Sequence, residues 1–300
     1  MRSIRDSGRI GFAGLGRMGA PMCANLVRAG RTVATTDIRP EAVVAGARPL
    51  PGMADLAAES DVLITMLPGP REVTDAMAGA VDALRPGAVW IDMTSNDPAA
   101  TTPVRERVLA RGAYVLEAPV GGGVEAARAG TLRIFAGGEE AVFARCRPIL
   151  EILADPAQIV RVGGHGAGYT AKLLVNLLWF GQAVATAEAL LLGASAGLDL
   201  GTLRRVLAGS AAGSEFIRRD LTALFAGDYL TSFGLDRCLE ELTAVTGLAR
   251  AHGVPFALSE LVEDTYRRAL DRFGPVDGEL LAVALLEERA DRRLRHPYEN

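Results

Sequence analysis

Lysine is all but missing from this 300-residue chain. Of its 32 lysine and arginine residues, 31 are arginine and one is Lys172. Cysteine is sparse too. Cys23, Cys146 and Cys238 show no metal-ligand spacing, and their odd number leaves one unpaired in any disulfide scheme, which points to a reducing, cytoplasmic setting. His165, His252 and His296 also lack metal spacing, so no metal site is expected. The net charge is −4 and the arginines are interleaved with acids. That leaves no basic footprint for nucleic acid. Long unbroken apolar runs are absent as well. The longest helical one, Leu173–Leu192, is interrupted by Asn176, Gln182 and Glu188, which speaks against a membrane span. The start, MRSIRDSGR, holds no apolar stretch of the roughly 7–15 residues that a secretory signal needs.

What is present is enzyme-like: 49% hydrophobic residues, 23% charged residues and 34 glycines. The length suits two moderate domains. In the first half, short β-rich runs alternate with helical patterns. The strand candidates are RIGFAGL (9–15), TVATTD (32–37), DVLITML (61–67), AVWIDMT (88–94), YVLEAPV (114–120) and LRIFAGG (132–138). They are nearly continuous apolar runs, as expected of strands covered on both faces. With helical stretches such as Gly19–Ala29 and Thr101–Arg111 between them, they predict an α/β, Rossmann-type, doubly wound parallel sheet. Beyond about residue 165 only helical patterns remain: Gly168–Ala196, Leu200–Ala208, Glu215–Leu224, Phe233–His252, Ala257–Arg272 and Gly278–Arg295. The expected organisation is a nucleotide-binding domain over 1–165 and an all-helical domain over 166–300, joined by a long interdomain helix.

The first chemical motif is GLGRMG, Gly14–Gly19, between a strand and a helix. Gly14 permits the tight turn, Gly16 lets backbone approach a pyrophosphate, and Gly19 allows close helix–sheet packing. The helix N-terminus adds free N–H groups and partial positive charge. Asp37 ends the next strand, where it would accept hydrogen bonds from the adenosine ribose and repel a 2′-phosphate, favouring NAD. Arg39 is placed to bind that phosphate instead, so NADP stays open.

A second motif, VLEAPVGGG (115–123), offers three successive glycine N–H groups after a strand. A third is GAGYTAKLLVNLLWF (166–180). Lys172 and Asn176 lie one helical turn apart, so an amine and an amide point the same way. A lone helical lysine is ordinarily a solvated side chain. Here Leu173, Leu174, Val175, Leu177, Leu178, Trp179 and Phe180 surround it, and burial would lower the amine's pKa. Arginine cannot release a proton in this way. Lys172 is therefore the candidate acid/base group. GASAG (193–197) fits a nucleophile-elbow pattern but falls at a helix end instead of a strand-to-helix turn.

Together these segments resemble the β-hydroxyacid dehydrogenase family, over roughly residues 9–290. GFAGLGRMGAPMCANLVRAG is similar to the family's N-terminal cofactor motif, which implicates Leu15, Arg17 and Met18 beside the glycines. TMLPGPREV is similar to its second cofactor segment, with Met66, Leu67, Pro68 and Val73. DMTSNDP is similar to the segment near the nicotinamide ribose, with Thr94 and Ser95 in swapped order. EAPVGGG resembles the substrate motif Asp-Ala-Pro-Val-Ser-Gly-Gly. GAGYTAKLLVN resembles the segment that carries the catalytic lysine, with Asn176 as the substrate-orienting asparagine. The resemblance implies substrate contacts from Gly121, Gly122, Gly123, Trp179 and Glu240.

The departures bear on the substrate. Gly121 stands where the family has serine, and Val175 where it has a first asparagine. Glu240-Glu241-Leu242 replaces Lys-Asp-Leu. A pocket without that hydroxyl and that cation suits a small carboxylate poorly. The family implies NAD(P)-dependent hydride transfer to or from a hydroxy-acid-like alcohol or aldehyde other than 3-hydroxyisobutyrate. It also implies a homodimer or homotetramer formed through the helical domain. The alternatives are an imine reductase-like enzyme and a non-catalytic nucleotide-binding protein.

Overall fold

The computed structural model describes residues 8–296. The chain forms two compact units, Met1–Leu173 and Leu174–Asn300.

The first unit is built on a twisted sheet. Strand β1 (Ile10–Ala13) leads into helix α1 (Gly19–Arg28), followed by β2 (Val33–Thr36), β3 (Arg48–Pro49) and α2 (Met53–Glu59). The chain continues through β4 (Val62–Thr65), α3 (Pro70–Ala80), β5 (Val89–Asp92), α4 (Pro98–Ala110) and β6 (Tyr114–Glu117). Then come β7 (Val120–Gly121), α5 (Gly123–Ala129), β8 (Leu132–Gly138), α6 (Glu140–Leu153) and β9 (Ala154–Gly163). The strands lie in the order β3-β2-β1-β4-β5-β6-β8-β7, and β9 pairs with the other edge of β8. From β3 to β6 every pairing is parallel. This is the doubly wound order, and its switch point lies between β1 and β4, where ligands are taken at the carboxyl ends of strands.

The apolar runs are continuous because both sheet faces are covered. Ile10, Phe12, Val62, Ile64, Val89, Ile91 and Leu116 enter one core. Their neighbours Ala13, Leu63, Trp90 and Val115 enter the other. Side chains alternate between faces with period two, so each strand supplies both.

All six expected strands occur: LRIFAGG at its full length as β8, YVLEAPV divided into β6 and β7, and the other four trimmed at their ends. Two were not anticipated. β3 is a two-residue edge pairing that contains proline. β9 is an edge strand whose sequence, ADPAQIVRVG, is largely exposed, Val160 and Val162 included. The sheet also departs from the all-parallel expectation. β8 runs antiparallel to β6 and β7, because the seven-residue α5 returns the chain without a full crossover. Helix α4 begins three residues before the expected Thr101. Asp97 caps it by accepting from the Ala99 N–H, and Pro98 occupies its first turn, where no N–H is needed.

Helix α7 (Ala167–Ser195) runs from the first unit into the second. It is long and apolar enough to cross a membrane, and half of its most apolar window is buried inside the protein. The second unit continues with α8 (Leu200–Ala208), a π-helical turn (Phe216–Asp220), α9 (Leu221–Ala226), α10 (Leu235–Ala251), α11 (Ala257–Phe273) and α12 (Leu281–Arg289). Its core gathers Ala183, Ala187, Leu190, Phe216, Leu221, Leu224 and Val283. The last helix is half the length expected from Gly278–Arg295. Gly278 and Asp291 at its flanks have positive φ, which breaks helical continuity at both ends.

Candidate active site

The glycine turn after β1 is fixed by packing at two positions and open at the third. The Gly14 N–H donates to the Thr36 carbonyl at 3.1 Å. Its φ is +93°, and a Cβ there would lie 2.2 Å from the Met66 carbonyl oxygen. At Gly19, where α1 opens, a Cβ would lie 1.9 Å from the Gly14 oxygen. At Gly16 a Cβ would meet no atom within 4 Å. The protein's own packing does not require that glycine, but a ligand lying on the turn would. Helix α1 has neither a side-chain cap nor an acid in its first turn, so no side chain of its own blocks an anion there, although the Ala20 N–H already donates to the Gly16 carbonyl at 3.1 Å. This cradle fits the pyrophosphate of a dinucleotide.

Several of the expected cofactor residues border this turn. Met66 and Leu67 follow β4, and the Met66 N–H donates to Ala13 at 2.9 Å. The Leu67 N–H donates to Thr94 Oγ1 at 3.1 Å, which ties the second segment to the end of β5. Ser95 is half-buried beside Thr94, and Arg17 and Pro68 are exposed. Met18 is partly buried against one core, and Val73 on α3 is fully buried in the other. Asp37 follows β2 and accepts from the Leu15 N–H at 2.6 Å and from the Arg39 N–H at 2.9 Å. Burial works to raise the Asp37 carboxyl, but its bonds from Arg39 and Leu15, with the Arg39 charge, hold it below the ordinary range.

Two buried carboxylates at the ends of β5 and β6 anchor the start of α7. Asp92 is fully buried. It accepts from Thr65 Oγ1 at 2.8 Å, Asn96 Nδ2 at 2.9 Å, the Thr94 N–H at 3.2 Å and the Tyr169 hydroxyl at 2.8 Å. Burial pushes its carboxyl up, against the pull of these donors. Glu117 accepts from the Gly166 N–H at 2.5 Å and the Gly168 N–H at 3.1 Å. Burial raises its carboxyl too, opposed by the amides of Gly166, Gly168 and Tyr169. Gly137 and Gly168 let α7 lie directly against β8: a Cβ on Gly137 would be 2.5 Å from the Gly168 nitrogen. Lys172 follows Tyr169 by three residues on this clamped segment and is half-buried.

The apolar surround expected of Lys172 is only partly enclosed. Leu174, Val175 and Leu178 are 43%, 47% and 64% exposed, because they occupy one face of α7 while Leu177 and Phe180 turn inward. In the second unit Asn176 Nδ2 donates to Glu241 Oε2 at 2.5 Å. Glu241 is 8% exposed, and its other oxygen has no hydrogen-bond partner. Glu240 is half-exposed and pairs with Arg237 at 2.9 Å. Trp179 donates its indole N–H to Asp220 at 2.8 Å and packs edge-on against Phe180 and Phe216. Gly121 is half-buried, while Gly122 and Gly123 are exposed with φ of +113° and +70°. Among the described residues no cluster of histidine, cysteine, aspartate and glutamate could hold a metal ion.

Sequence reasoning assigned no role to Asp92, Glu117 or Tyr169, and named Glu241 only within the Glu240-Glu241-Leu242 segment. A usable signal existed for the first two. VWID and YVLE end an apolar strand on an acid, as VATTD does, so each puts a carboxylate on the carboxyl edge of the sheet. Tyr169 and Glu241 depend on partners 77 and 65 residues away. No local pattern reveals such pairs.

Comparison with known proteins agrees with this geometry. Residues 9–164 match the family model for the NAD binding domain of 6-phosphogluconate dehydrogenase. Residues 166–286 match that for the NAD-binding domain of NADP-dependent 3-hydroxyisobutyrate dehydrogenase. The chain is similar to 2-(hydroxymethyl)glutarate dehydrogenase of Eubacterium barkeri, at 32% identity over 88% of this chain and 89% of the relative. It is similar to the structure of Mycobacterium tuberculosis 3-hydroxyisobutyrate dehydrogenase with L-serine, at a TM-score of 0.84 and 30% identity, covering 93% of this chain and 99% of that one. It is also similar to Psf3 in complex with NADP+ and 2-OPP, at a TM-score of 0.80 and 25% identity, covering 92% and 99%. With an NAD(P) cradle at the switch point and a family match over both units, this chain belongs to the β-hydroxyacid dehydrogenase family.

Proposed function

We propose that Lys172 is the proton-transfer group of an NAD(P)-dependent dehydrogenase that acts on a hydroxy-acid-like alcohol or aldehyde. The cofactor, when bound, supplies the hydride acceptor or donor at its nicotinamide ring. Lys172 Nζ takes the hydroxyl proton in oxidation and returns it to the carbonyl oxygen in reduction. Asn176, one helical turn on, orients the lysine or the substrate oxygen, and its amide is held from behind by Glu241. The Gly122 and Gly123 N–H groups face a substrate oxygen. The observation that carries this reading is the anchoring of α7: Glu117 and the Asp92–Tyr169 pair hold the segment leading to the only lysine in the chain.

The substrate we infer is not 3-hydroxyisobutyrate itself. Gly121 brings no hydroxyl, and Glu240 puts a carboxylate, paired with Arg237, where the family has a cation. The name of the similar Eubacterium barkeri enzyme specifies a hydroxymethyl acid larger than 3-hydroxyisobutyrate. Relatives at 30% identity or above are named as hydroxy acid dehydrogenases, which favours CH–OH over C=N chemistry and over a non-catalytic role. The expected form is a cytoplasmic homodimer or homotetramer assembled through the helical unit. The exposed Leu174, Val175, Leu178 and Leu192 of α7 support that form, and light scattering of the purified protein tests it.

The test of function is turnover on a panel of hydroxy acids and alcohols, read as NAD(P)H absorbance, with cofactor binding measured separately. Lys172→Ala should lower turnover by roughly 10²–10⁴-fold while cofactor binding persists. Lys172→Arg should fail as well, since a guanidinium holds its proton. An active Lys172→Arg enzyme would undo the proton-transfer role. A best rate on 3-hydroxyisobutyrate would undo the substrate argument.

A further inference from the structure

The second unit holds a π-helical turn, Phe216–Asp220, that the proton-transfer reading leaves unused. Such turns are rare and frequently stand at functional sites. This one is firmly built in. Arg204 of α8 braces it, donating to the Ile217 carbonyl at 3.2 Å and to the Arg218 carbonyl at 2.6 Å. Phe216 packs edge-on against Trp179, with ring centroids 5.6 Å apart. Asp220 stands where α9 begins, but its side chain does not cap that helix. The carboxylate is buried and turns to α7 instead, where it accepts from the Trp179 indole N–H at 2.8 Å.

Arg219 completes the cluster. Its Nε donates to Asp220 Oδ1 at 2.8 Å, and its Nη2 lies 3.5 Å from Oδ2, the oxygen that also receives the indole. This pairing uses one edge of the guanidinium. The other edge, Nη1 with Nη2, keeps two parallel N–H groups in the fork that fits a carboxylate. The Arg219 side chain is 66% exposed, against 9% for Asp220, so the pair has a fixed base and an open charged end. The local charge also favours an anion. Residues 200–220 carry four arginines and only two acids, Glu215 and Asp220, in a chain whose net charge is −4. Trp179 follows Asn176 by three residues on the same side of α7, about 4.5 Å further along its axis.

We propose that Arg219 receives a second acid group of the substrate, which makes the substrate class a hydroxy dicarboxylic acid. The alcohol carbon sits at Asn176, and the distal carboxylate lies past Trp179 in the Arg219 fork. Asp220 holds the guanidinium and the indole side by side. The cation missing at Glu240 thus has a counterpart beside Trp179, set to grip an acid group further from the reacting carbon. The inference rests on the hydroxy acid reading of the site, and its test reads binding, which needs no turnover.

The experiment is calorimetric titration of the full chain, in the presence of NAD, with glutarate and with valerate, its single-acid counterpart of the same carbon number. Wild type should bind glutarate on the order of 10- to 100-fold tighter than valerate, the value of a charge-assisted bidentate contact. Arg219→Gln should bring glutarate to the valerate level and leave valerate unchanged. Its melting temperature, close to that of wild type, shows that it folds. Arg219→Lys, which keeps the charge without the fork, should restore part of the preference. Three results would overturn the proposal: no saturable glutarate binding by wild type, equal affinity for the two acids, or an equal loss of both in Arg219→Gln. If the glutarate preference follows Arg219 while no hydroxy acid is turned over, the binding site stands and the hydroxy acid reading falls.

Discussion

Replacing Glu117 by glutamine isolates what the buried carboxylate does for α7. The side chain keeps its length, but one acceptor oxygen becomes an NH₂ donor. In either amide orientation one backbone N–H, of Gly166 or Gly168, then faces a donor. A hydrogen bond to a charged group is worth about 1.5–3 kcal/mol, and a buried donor left unmet adds about 1–3 kcal/mol. Burial already disfavours the charged form of Glu117, so a neutral amide recovers part of that loss. The net cost therefore falls near the lower end, about 2 kcal/mol, concentrated at the start of α7. Hydrogen exchange over residues 164–173 reads it directly. The amides of Gly166, Gly168 and Tyr169 should exchange roughly 30-fold faster, since about 1.4 kcal/mol is tenfold, while β5 amides such as Ile91 keep their rates. Turnover should fall without a matching change in cofactor affinity, because Lys172 follows on the loosened segment. Unchanged exchange at these amides, within about twofold, would refute the anchoring argument.

The glycine turn predicts a clean contrast. Gly16→Ala should leave the melting temperature unchanged and weaken cofactor binding, because its Cβ meets nothing within 4 Å in the protein. Gly19→Ala should destabilise the fold itself, because its Cβ would lie 1.9 Å from Gly14 O; thermal melts and cofactor titrations of both variants check this. Tyr169→Phe removes one of the donors to buried Asp92 and should cost about 1.5–3 kcal/mol in denaturant unfolding; a cost below about 0.5 kcal/mol would mean the hydroxyl is dispensable. His165 is depressed below its ordinary value of 6.5 by burial and then by the Arg105 charge. Its contribution to stability is complete above 6.5 and is lost as pH falls through the depressed folded value, because the unfolded chain protonates first. The difference in stability between wild type and His165→Gln should therefore change on acidification below 6.5, and a flat difference curve would contradict the shift.

The parts of this protein that were legible in its sequence are those fixed by local pattern. Strands covered on both faces announce themselves as apolar runs, and Ile10–Ala13, Val62–Thr65 and Val89–Asp92 fall inside the expected stretches. The glycine turn was legible because its three glycines answer three local demands, two of which the packing of Gly14 and Gly19 displays directly. What escaped is non-local. Edge strand β9 offers only the short stretch IVRV, broken by Arg161, and most of it faces solvent with one side paired. The reversal at β8 depends on the brevity of α5, a boundary that propensity does not locate. Glu117 was visible only as a motif letter, because its partners are the backbone amides of a helix 49 residues away. The apolar residues around Lys172 were read as a continuous buried sleeve. On a helix they divide between faces, and Leu174, Val175 and Leu178 fall outside.

Three acids, Asp37, Asp92 and Glu117, stand at the carboxyl ends of β2, β5 and β6, and parallel strands bring those ends to one edge of the sheet. Their partners set their roles. Asp92 and Glu117 are satisfied by buried hydroxyls, an amide side chain and backbone N–H groups, none of which can leave without orphaning a donor. Both are therefore fixed, and both fix the helix that carries Lys172. Asp37 differs in one respect: half of its bonds come from the side chain of Arg39, which is itself half-exposed. Equivalent positions on one sheet edge thus yield two carboxylates held by the interior and one held half by a solvent-facing side chain.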